Sequence, residues 1–269
     1  MAAIDRFYQE PRAAGGIDSE PVRRPFFSAP RPLVFAHRGG SALARENTMA
    51  AFDNAARLGA DGLELDVHLS RDGVVVVHHD RTLDRTTPLR GPIADRTAAE
   101  LARAGVPRLD EVLARHREAR VIVEMKVNRP ALAAAVVDVV KRADAVERVC
   151  LGAFGVRVLR AARALEPAIA TSAGREEVRW ALYRSWVRWP LAGAAYAGFQ
   201  VPEVAGRTRV VSPRFVRAAH RAGLGVQVWT VDKEPDARRL LDWGVDALIT
   251  DRPDIIVPLV KGLGARGQL

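Results

Sequence analysis

Three observations predict an α/β chain with the architecture of a (β/α)8 TIM barrel. Short apolar runs rich in Val and Ile alternate with amphipathic stretches at helical spacing, the pattern of parallel strands joined by helical crossovers. Roughly eight such units fit into about 250 residues, as a closed barrel requires. His37, Glu64, Asp66, Glu124, Lys126 and Trp229 all fall at or near the C-terminal ends of candidate strands, which a barrel gathers at one mouth. The runner-up is an open doubly wound sheet. It lacks a glycine-rich fingerprint, because Gly39-Gly40 is too short and follows His37.

The elements follow in order. Residues 1–30 are rich in Pro, Arg and Gly without clean periodicity and read as an extended N-terminal arm; 31–262 form one barrel domain and 263–269 a short tail. Leu33 to Ala36 is a first strand ending at His37. Asn47 to Leu58 is a helix stopped by Gly59. Glu64 to His68 is a second strand, and Val74 to Val77, after the Asp72-Gly73 turn, runs back to deliver His79. Residues 81–120 look short and unexceptional, which predicts an open mouth. Further strands are expected at Val121–Glu124, Val149–Ala153, Ala168–Thr171, Ala197–Val201, Gly225–Trp229 and Ala247–Thr250. Helices are expected at 130–143, 155–165, 174–188, 213–222 and 234–243.

Composition narrows the chemistry. A chain of 269 residues, 48% of them hydrophobic, can bury a large core. Its one cysteine, Cys150, excludes an intramolecular disulfide and reads as a small buried hydrophobe. Thiol-rich zinc clusters are excluded, so a bound metal would be magnesium, calcium or manganese on oxygen ligands. The formal charge of +9 favours anionic partners: phosphorylated substrates, membrane surfaces or nucleic acid. Nucleic acid is the weakest of these, since no recognition motif is present. Arginine richness as plain compositional bias is an equal alternative. Met1 to Glu10 lacks an apolar leader and no stretch is long enough to span a bilayer, so the expectation is a soluble cytoplasmic protein.

The reactive residues form a pattern. Alternate residues of a strand share a face, so Glu64 and Asp66 project together, as do Glu124 and Lys126. Carboxylates on one face of an apolar strand are costly to bury without a counter-charge, which favours metal ligation over structural pairing. His37 and His79 can move protons near neutral pH, and Arg38 can offset phosphate charge. Together they make an inventory for cleaving a phosphodiester at a metal ion.

The ordered series His37-Arg38-Gly39, Glu46-Asn47-Thr48, Glu64-Leu65-Asp66-Val67, Asp72-Gly73, His79-Asp80, Leu83-Asp84-Arg85-Thr86-Thr87, Glu124-Met125-Lys126, Trp229-Thr230-Val231 and Thr250-Asp251-Arg252-Pro253 resembles the glycerophosphodiester phosphodiesterase family. The match runs from about Leu33 to Ile255. The resemblance implies a barrel of the phosphatidylinositol-phospholipase type that hydrolyses glycerophosphodiesters to glycerol 3-phosphate and an alcohol with one divalent cation. It implies Glu64, Asp66 and Glu124 as metal ligands, joined by Glu46 directly or through water. His37 and His79 become the acid–base pair, Arg38 and Lys126 phosphate contacts, and Trp229 a wall of the mouth. The nucleophile is water or, as expected for glycerol-containing substrates, the neighbouring glycerol hydroxyl, giving a transient cyclic phosphate.

Other polar residues read as supporting. Parity sends only one of His78 and His79 into the mouth, and the family pattern selects His79. His68 is expected at a partly exposed strand end, and His116 and His220 in solvent. Asn47 and Thr48 start the following helix and brace Glu46. Asp251 reads as structural, pairing with Arg38 or Arg252. Arg45 stands where the family often has proline, either beside the mouth or in solvent.

The run Arg179 to Pro190 interleaves Trp180, Trp186 and Trp189 with arginines. It fits peripheral membrane contact, and with it a lysophospholipid substrate cleaved by lysophospholipase D chemistry at the same site. An outer helix packing its apolar residues on the strands, with arginines outward, stands slightly ahead. A barrel that binds phosphodiesters or anionic lipid without turnover is the reading from a different class; retention of both His37 and His79 speaks against it.

Overall fold

The computed structural model describes residues 25–30 and 32–265. A 3-10 turn, Pro25–Phe27, precedes β1 (Leu33–His37), α1 (Met49–Arg57), β2 (Gly62–Leu69) and β3 (Val75–Val77). A second 3-10 turn, Ile93–Asp95, leads to α2 (Ala98–Arg103) and α3 (Leu109–Arg115). Then β4 (Arg120–Met125), α4 (Pro130–Arg142), β5 (Val149–Gly152), α5 (Val156–Leu165), β6 (Ala170–Thr171) and α6 (Arg175–Trp186) alternate. Next come β7 (Gly198–Pro202), a small hairpin of β8 (Val204–Ala205) and β9 (Thr208–Arg209), α7 (Pro213–Arg221) and β10 (Gly225–Trp229). The last elements are α8 (Glu234–Asp242), β11 (Ala247–Thr250) and α9 (Pro253–Ala265).

Eight strands run parallel in the order β6-β5-β4-β2-β1-β11-β10-β7, with β3 antiparallel on β2. The two ends of this order meet through a parallel bridge between Ser172 and Gly198. There Ala197 N–H donates to the Thr171 carbonyl and Ala173 N–H to the Gly198 carbonyl, both at 2.9 Å. That junction closes the sheet into a TIM barrel and excludes the open-sheet alternative.

Strand alternation divides the barrel interior into a floor and a mouth. On β1, Leu33, Phe35 and His37 face inward; on β4, Ile122 and Glu124 do. The floor is apolar: Phe26, Phe27, Leu33, Phe35, Ile122, Cys150, Ala170, Ala247 and Ile249 form one buried cluster. Above it the same faces turn polar. Outward-facing residues such as Val34, Leu63, Leu65 and Val121 pack under the helices in two larger clusters.

The floor depends on residues before β1. A Cβ added to Gly225 would lie 2.3 Å from the Phe27 ring and one added to Gly198 would lie 2.6 Å from it, so these two glycines make room for that ring. Phe26 stacks on Phe35 at 5.7 Å. The expected arm over 1–30 therefore needs correction at its end: Phe26 and Phe27 are core residues. Residues 1–24 lie outside the described residues. The expected tail over 263–269 is helical as far as Ala265, and 266–269 lie outside the described residues.

Three other expectations differ from the structure. Residues 81–120 are not plain: they hold α2 and α3, and Leu83, Ile93, Ala98, Leu101 and Val106 form a separate core with Val76 of β3. His116 is buried against the edge of Phe52 and lies 3.4 Å from Asp53, whereas His220 bonds Asp246 at 2.9 Å. On α6 Val178, Ala181, Leu182 and Ser185 turn inward, and Trp180 (58% exposed) and Trp186 (53%) face outward. Trp189 follows the helix and is 63% exposed, so the packing reading holds for Val178, Ala181 and Leu182, with Arg179 outward, and fails for the three tryptophans.

Phe27→Ala should lower unfolding stability by about 3–5 kcal/mol, the loss expected for emptying a buried aromatic site. Urea denaturation measures it; an unchanged midpoint would contradict the assignment of Phe27 to the barrel floor.

Candidate active site

The site starts where β1 ends. After His37 the chain turns sharply, with Arg38 at φ 52° and Gly39 at φ 86°, a conformation that favours glycine. A Cβ on Gly39 would also lie 2.7 Å from that of Ala51. The turn points the Arg38 N–H at Glu64, whose Oε2 accepts it at 2.9 Å. Parallel pairing of β1 with β11 sets Ala36 beside Thr250, which brings Asp251 next to His37. Nδ1 of His37 lies 2.8 Å from Asp251 Oδ1, and Nε2 lies 3.8 Å from Glu64 Oε2. Burial pulls the His37 pKa down, but the Glu64 charge and the Asp251 hydrogen bond outweigh it, and the net shift is upward. Ser41 and the Asp232 carboxylate fix Asp251: the Ser41 hydroxyl donates to Oδ1 at 2.6 Å, and the Asp251 N–H donates to Asp232 at 2.8 Å.

Three carboxylates share the inner wall of β2 and β4, where Asp66 is directly paired with Glu124. Asp66 is the compensated one. Lys126 Nζ stands 3.2 Å from Oδ1 and Arg38 Nε 3.4 Å from Oδ2; the Asn47 amide donates to Oδ2 at 2.9 Å and accepts the Asp66 N–H at 3.3 Å. Asn47 thus braces Asp66 rather than Glu46, while Thr48 caps α1. Glu64 and Glu124 have less help. Burial, then the charge of Asp66, pushes Glu64 up to about 7. Withdrawal from water pushes Glu124 up to about 8; Lys126 opposes this, and Asp66 and Glu64 add to it. Gly152, beside Glu124 on β5, leaves room for that carboxylate: a Cβ there would lie 2.5 Å from Glu124 Oε2.

The opposite wall is held by Arg85. It clamps Glu46 through both oxygens at 2.6 and 2.9 Å and donates from Nε to Asp80 at 2.6 Å. Asp80 in turn holds His79 Nδ1 at 2.7 Å. The Arg85 hydrogen bond, offset by burial and assisted by His79, keeps the Asp80 carboxyl well below the usual carboxylate range. Burial would raise Glu46, but the Arg85 hydrogen bond and the nearby Arg38 and Arg85 charges bring it below its ordinary value. His78 points the other way from His79 and bonds the Thr82 carbonyl at 3.1 Å; burial holds it down at about 4. His68 is buried and bonds the His79 carbonyl at 3.2 Å, contrary to the partly exposed position expected for it.

His37, Arg38, Glu64, Asp66, His79, Glu124, Lys126 and Trp229 all line one cavity of about 760 Å³. Glu46 stands behind Arg38, at 3.4 Å from its guanidinium. Arg45 is not at the mouth; its guanidinium covers Gly105. Away from the histidines the cavity becomes apolar, walled by Phe154, Val178, Leu182, Val201 and Val210. Trp229 meets Phe154 edge-on at 6.2 Å. Sequence reading had no role for Asp80 or Arg85 and misassigned Asp251. The signal for Asp251 was present: closing a barrel puts the first strand beside the last, so a carboxylate just after β11 must neighbour a histidine ending β1.

Residues 37–255 match the family model described as the glycerophosphoryl diester phosphodiesterase family. The chain belongs to that family. It is 36% identical to probable glycerophosphodiester phosphodiesterase 2 of Mycobacterium tuberculosis over 88% of this chain and 92% of the relative. It is 33% identical to the glycerophosphodiester phosphodiesterase of Caldanaerobacter subterraneus subsp. tengcongensis, over 86% of this chain and 98% of that one. Among solved structures, the glycerophosphodiester phosphodiesterase of Agrobacterium tumefaciens superposes with a TM-score of 0.71 at 29% identity, covering 84% of this chain and 99% of that one. An Oleispira antarctica phosphodiesterase in complex with the product sn-glycerol-3-phosphate gives 0.69 at 28% identity, covering 86% and 97%. The chain is an enzyme, a phosphoric diester hydrolase of the glycerophosphodiester phosphodiesterase class.

Two outcomes follow from this geometry. Asp251→Asn should lower kcat at least about tenfold and move the His37 imidazole titration to lower pH, with the fold kept. Steady-state kinetics and NMR titration check this, and an unchanged kcat would contradict an orienting role. For His78, the unfolded chain takes up a proton as pH falls below 6.5 while the folded chain does not until about 4. Its contribution is therefore present above pH 6.5 and lost on acidification. Stability measured at pH 7 and pH 4.5 should fall less in His78→Gln than in the parent; equal falls would contradict the assignment.

Proposed function

We propose that the chain hydrolyses glycerophosphodiesters to glycerol 3-phosphate and an alcohol, with His37 and His79 as the acid–base pair and a divalent cation on Glu64, Asp66 and Glu124. The observation that carries this reading is the paired arrangement of the histidines. Each has a carboxylate on Nδ1, Asp251 for one and Asp80 for the other, and both line the same cavity. A carboxylate on Nδ1 fixes the tautomer and leaves Nε2 as the atom that exchanges a proton with substrate. One imidazole takes the proton of the attacking hydroxyl and the other gives one to the departing alkoxide. For glycerol-containing substrates that hydroxyl is the one neighbouring the phosphate, and a cyclic phosphate precedes glycerol 3-phosphate.

The donor set fits a hard divalent cation, magnesium or calcium, with manganese as a further candidate. Among the described residues no three His, Cys, Asp or Glu side chains already surround a single point as ligands. The chemistry of the wall favours a cation: burial raises the Glu64 and Glu124 carboxyls, the Asp66 charge adds to the rise, and Lys126 and Arg38 do not offset it. Glu46, already paired with Arg85 and Arg38, would join them directly or through water. When bound, the cation supplies charge neutralisation for the phosphoryl oxygens. Arg38 and Lys126, which both line the cavity, bind the phosphate. Trp229 walls the side of the leaving alcohol.

The apolar half of the cavity favours a second substrate at the same site, a lysophospholipid whose acyl chain lies along Phe154, Val178, Leu182 and Val210. In that reading the chemistry is that of a lysophospholipase D, and exposed Trp180, Trp186 and Trp189 make a peripheral lipid contact. No helix among the described residues is long and apolar enough to cross a membrane.

His37→Ala or His79→Ala should lose on the order of a hundredfold or more in kcat while keeping cation affinity, and Glu64→Ala should lose cation affinity itself. Turnover of glycerophosphocholine and lysophosphatidylcholine by metal-stripped protein, resupplied with magnesium, calcium or manganese, checks the assignment. Retained activity in either histidine variant contradicts the acid–base roles. Silence on both substrates with every cation would favour a barrel that only binds phosphodiesters or lipid.

A further inference from the structure

The α6 and α7 helices build a face that catalysis does not use. Between Glu177 and Asp232 the sequence holds a single acid, Glu203, against eight arginines, so most of the formal charge of +9 is concentrated there. On α7, Arg214, Arg217 and Arg221 are spaced three and four apart and are all exposed, while Phe215, Val216, Ala218 and Ala219 hold the opposite side in the core. Those three arginines and Arg188 surround a cleft of about 330 Å³ floored by Ser185 and Ala218, with the Trp189 ring as one wall. Among the described residues none of the four has an acidic partner.

Beside the cleft lies the aromatic surface. Trp180, Tyr183, Trp186, Val187 and Trp189 are each more than half exposed. Trp180 stacks on Tyr183 at 5.7 Å, and the Arg184 guanidinium lies over the Trp180 ring at 5.4 Å. Arg184 also ties down the segment after the helix by donating to the Pro190 carbonyl at 3.2 Å. Such a concentration of exposed indole and aliphatic surface is unusual for a face left in water. Uncompensated arginines beside it call for an anionic partner, and indoles flanked by guanidinium groups suit the headgroup level of a bilayer. The exposed aliphatic Val187 suits hydrocarbon rather than nucleobases.

We propose that the α6–α7 face docks on an anionic phospholipid surface, with Arg188, Arg214, Arg217 and Arg221 receiving lipid phosphate in the cleft and Trp186 and Trp189 inserting beside it. This rests on the peripheral lipid contact inferred above and adds the charge class of the lipid and the residues that read it. The placement connects to catalysis, because the inner side of the same helix, at Val178 and Leu182, walls the active-site cavity. Docking therefore places the outer side of that wall against the lipid surface.

The test is sedimentation of the full chain with vesicles of phosphatidylcholine alone and of phosphatidylcholine mixed with phosphatidylglycerol. Each exposed arginine near an anionic surface is worth roughly fivefold in affinity, so combined Arg214→Glu, Arg217→Glu and Arg221→Glu should weaken binding to the mixed vesicles by on the order of a hundredfold or more. Turnover of soluble glycerophosphocholine should stay unchanged in that variant, which also shows that it is folded. Added salt should weaken binding of the parent. Binding that is equal on both vesicle types and lost only with Trp186→Ala and Trp189→Ala would overturn the anionic site while leaving the lipid contact standing. Absence of binding to either vesicle overturns both. Tighter binding to single-stranded DNA than to the mixed vesicles would assign the face to nucleic acid and overturn the proposal.

Discussion

The inner wall of this barrel depends on placing three carboxylates, Glu64, Asp66 and Glu124, on two adjacent strands, with Lys126 and Arg38 as the fixed cations among the described residues beside them. Negative charges held this close and away from water repel one another, and the molecule answers each one differently. Asp66 receives both cations and the Asn47 amide. Glu64 and Glu124 are left with pKa values near neutrality. The surrounding architecture follows from that imbalance. The left-handed turn at Arg38 and Gly39 aims a backbone N–H at Glu64, and Gly152 withholds a Cβ so that the Glu124 carboxylate has space.

Floor and mouth are two ends of the same alternation. Because inward residues recur every second position, a strand that starts with an apolar side chain on the inner face ends with a functional one: Phe35 then His37, Ile122 then Glu124. The floor must be solid for the upper layer to be placed to within a fraction of an ångström, and Phe26 and Phe27 complete it from outside the barrel's own strands. Orientation of the two histidines then uses charge pairs of opposite provenance. Asp251 comes from the last strand of the barrel, and Asp80 lies next to His79 in sequence, held by the Arg85 clamp that also immobilises Glu46.

Much of this was legible in the sequence. The strand and helix rhythm identified the barrel because hydrophobic periodicity is local. Glu64, Asp66, Glu124 and Lys126 were legible because a strand's parity is fixed by its spacing. Asp251 was overlooked although a closed barrel sets β1 beside β11, because that pairing spans nearly the whole chain and lies outside any local window. Arg85 was missed because a long flexible side chain in an irregular stretch carries no periodic signal. Phe26 and Phe27 were assigned to an arm because the Pro- and Arg-rich composition around them outweighed two adjacent aromatics. The α6 tryptophans illustrate the converse: helical spacing places apolar residues on faces, but only the packing of α6 against its neighbours decides that Leu182 turns inward while Trp186 remains outside.

The account turns on whether the carboxylate wall is completed by a cation. Isothermal titration of metal-stripped protein with magnesium and with calcium near neutral pH, repeated in two buffers of different ionisation enthalpy, tests this most directly. The account predicts saturable binding accompanied by proton release, because Glu64 and Glu124 hold protons there until the cation displaces them. Binding without proton release, or no binding of either ion, would contradict it.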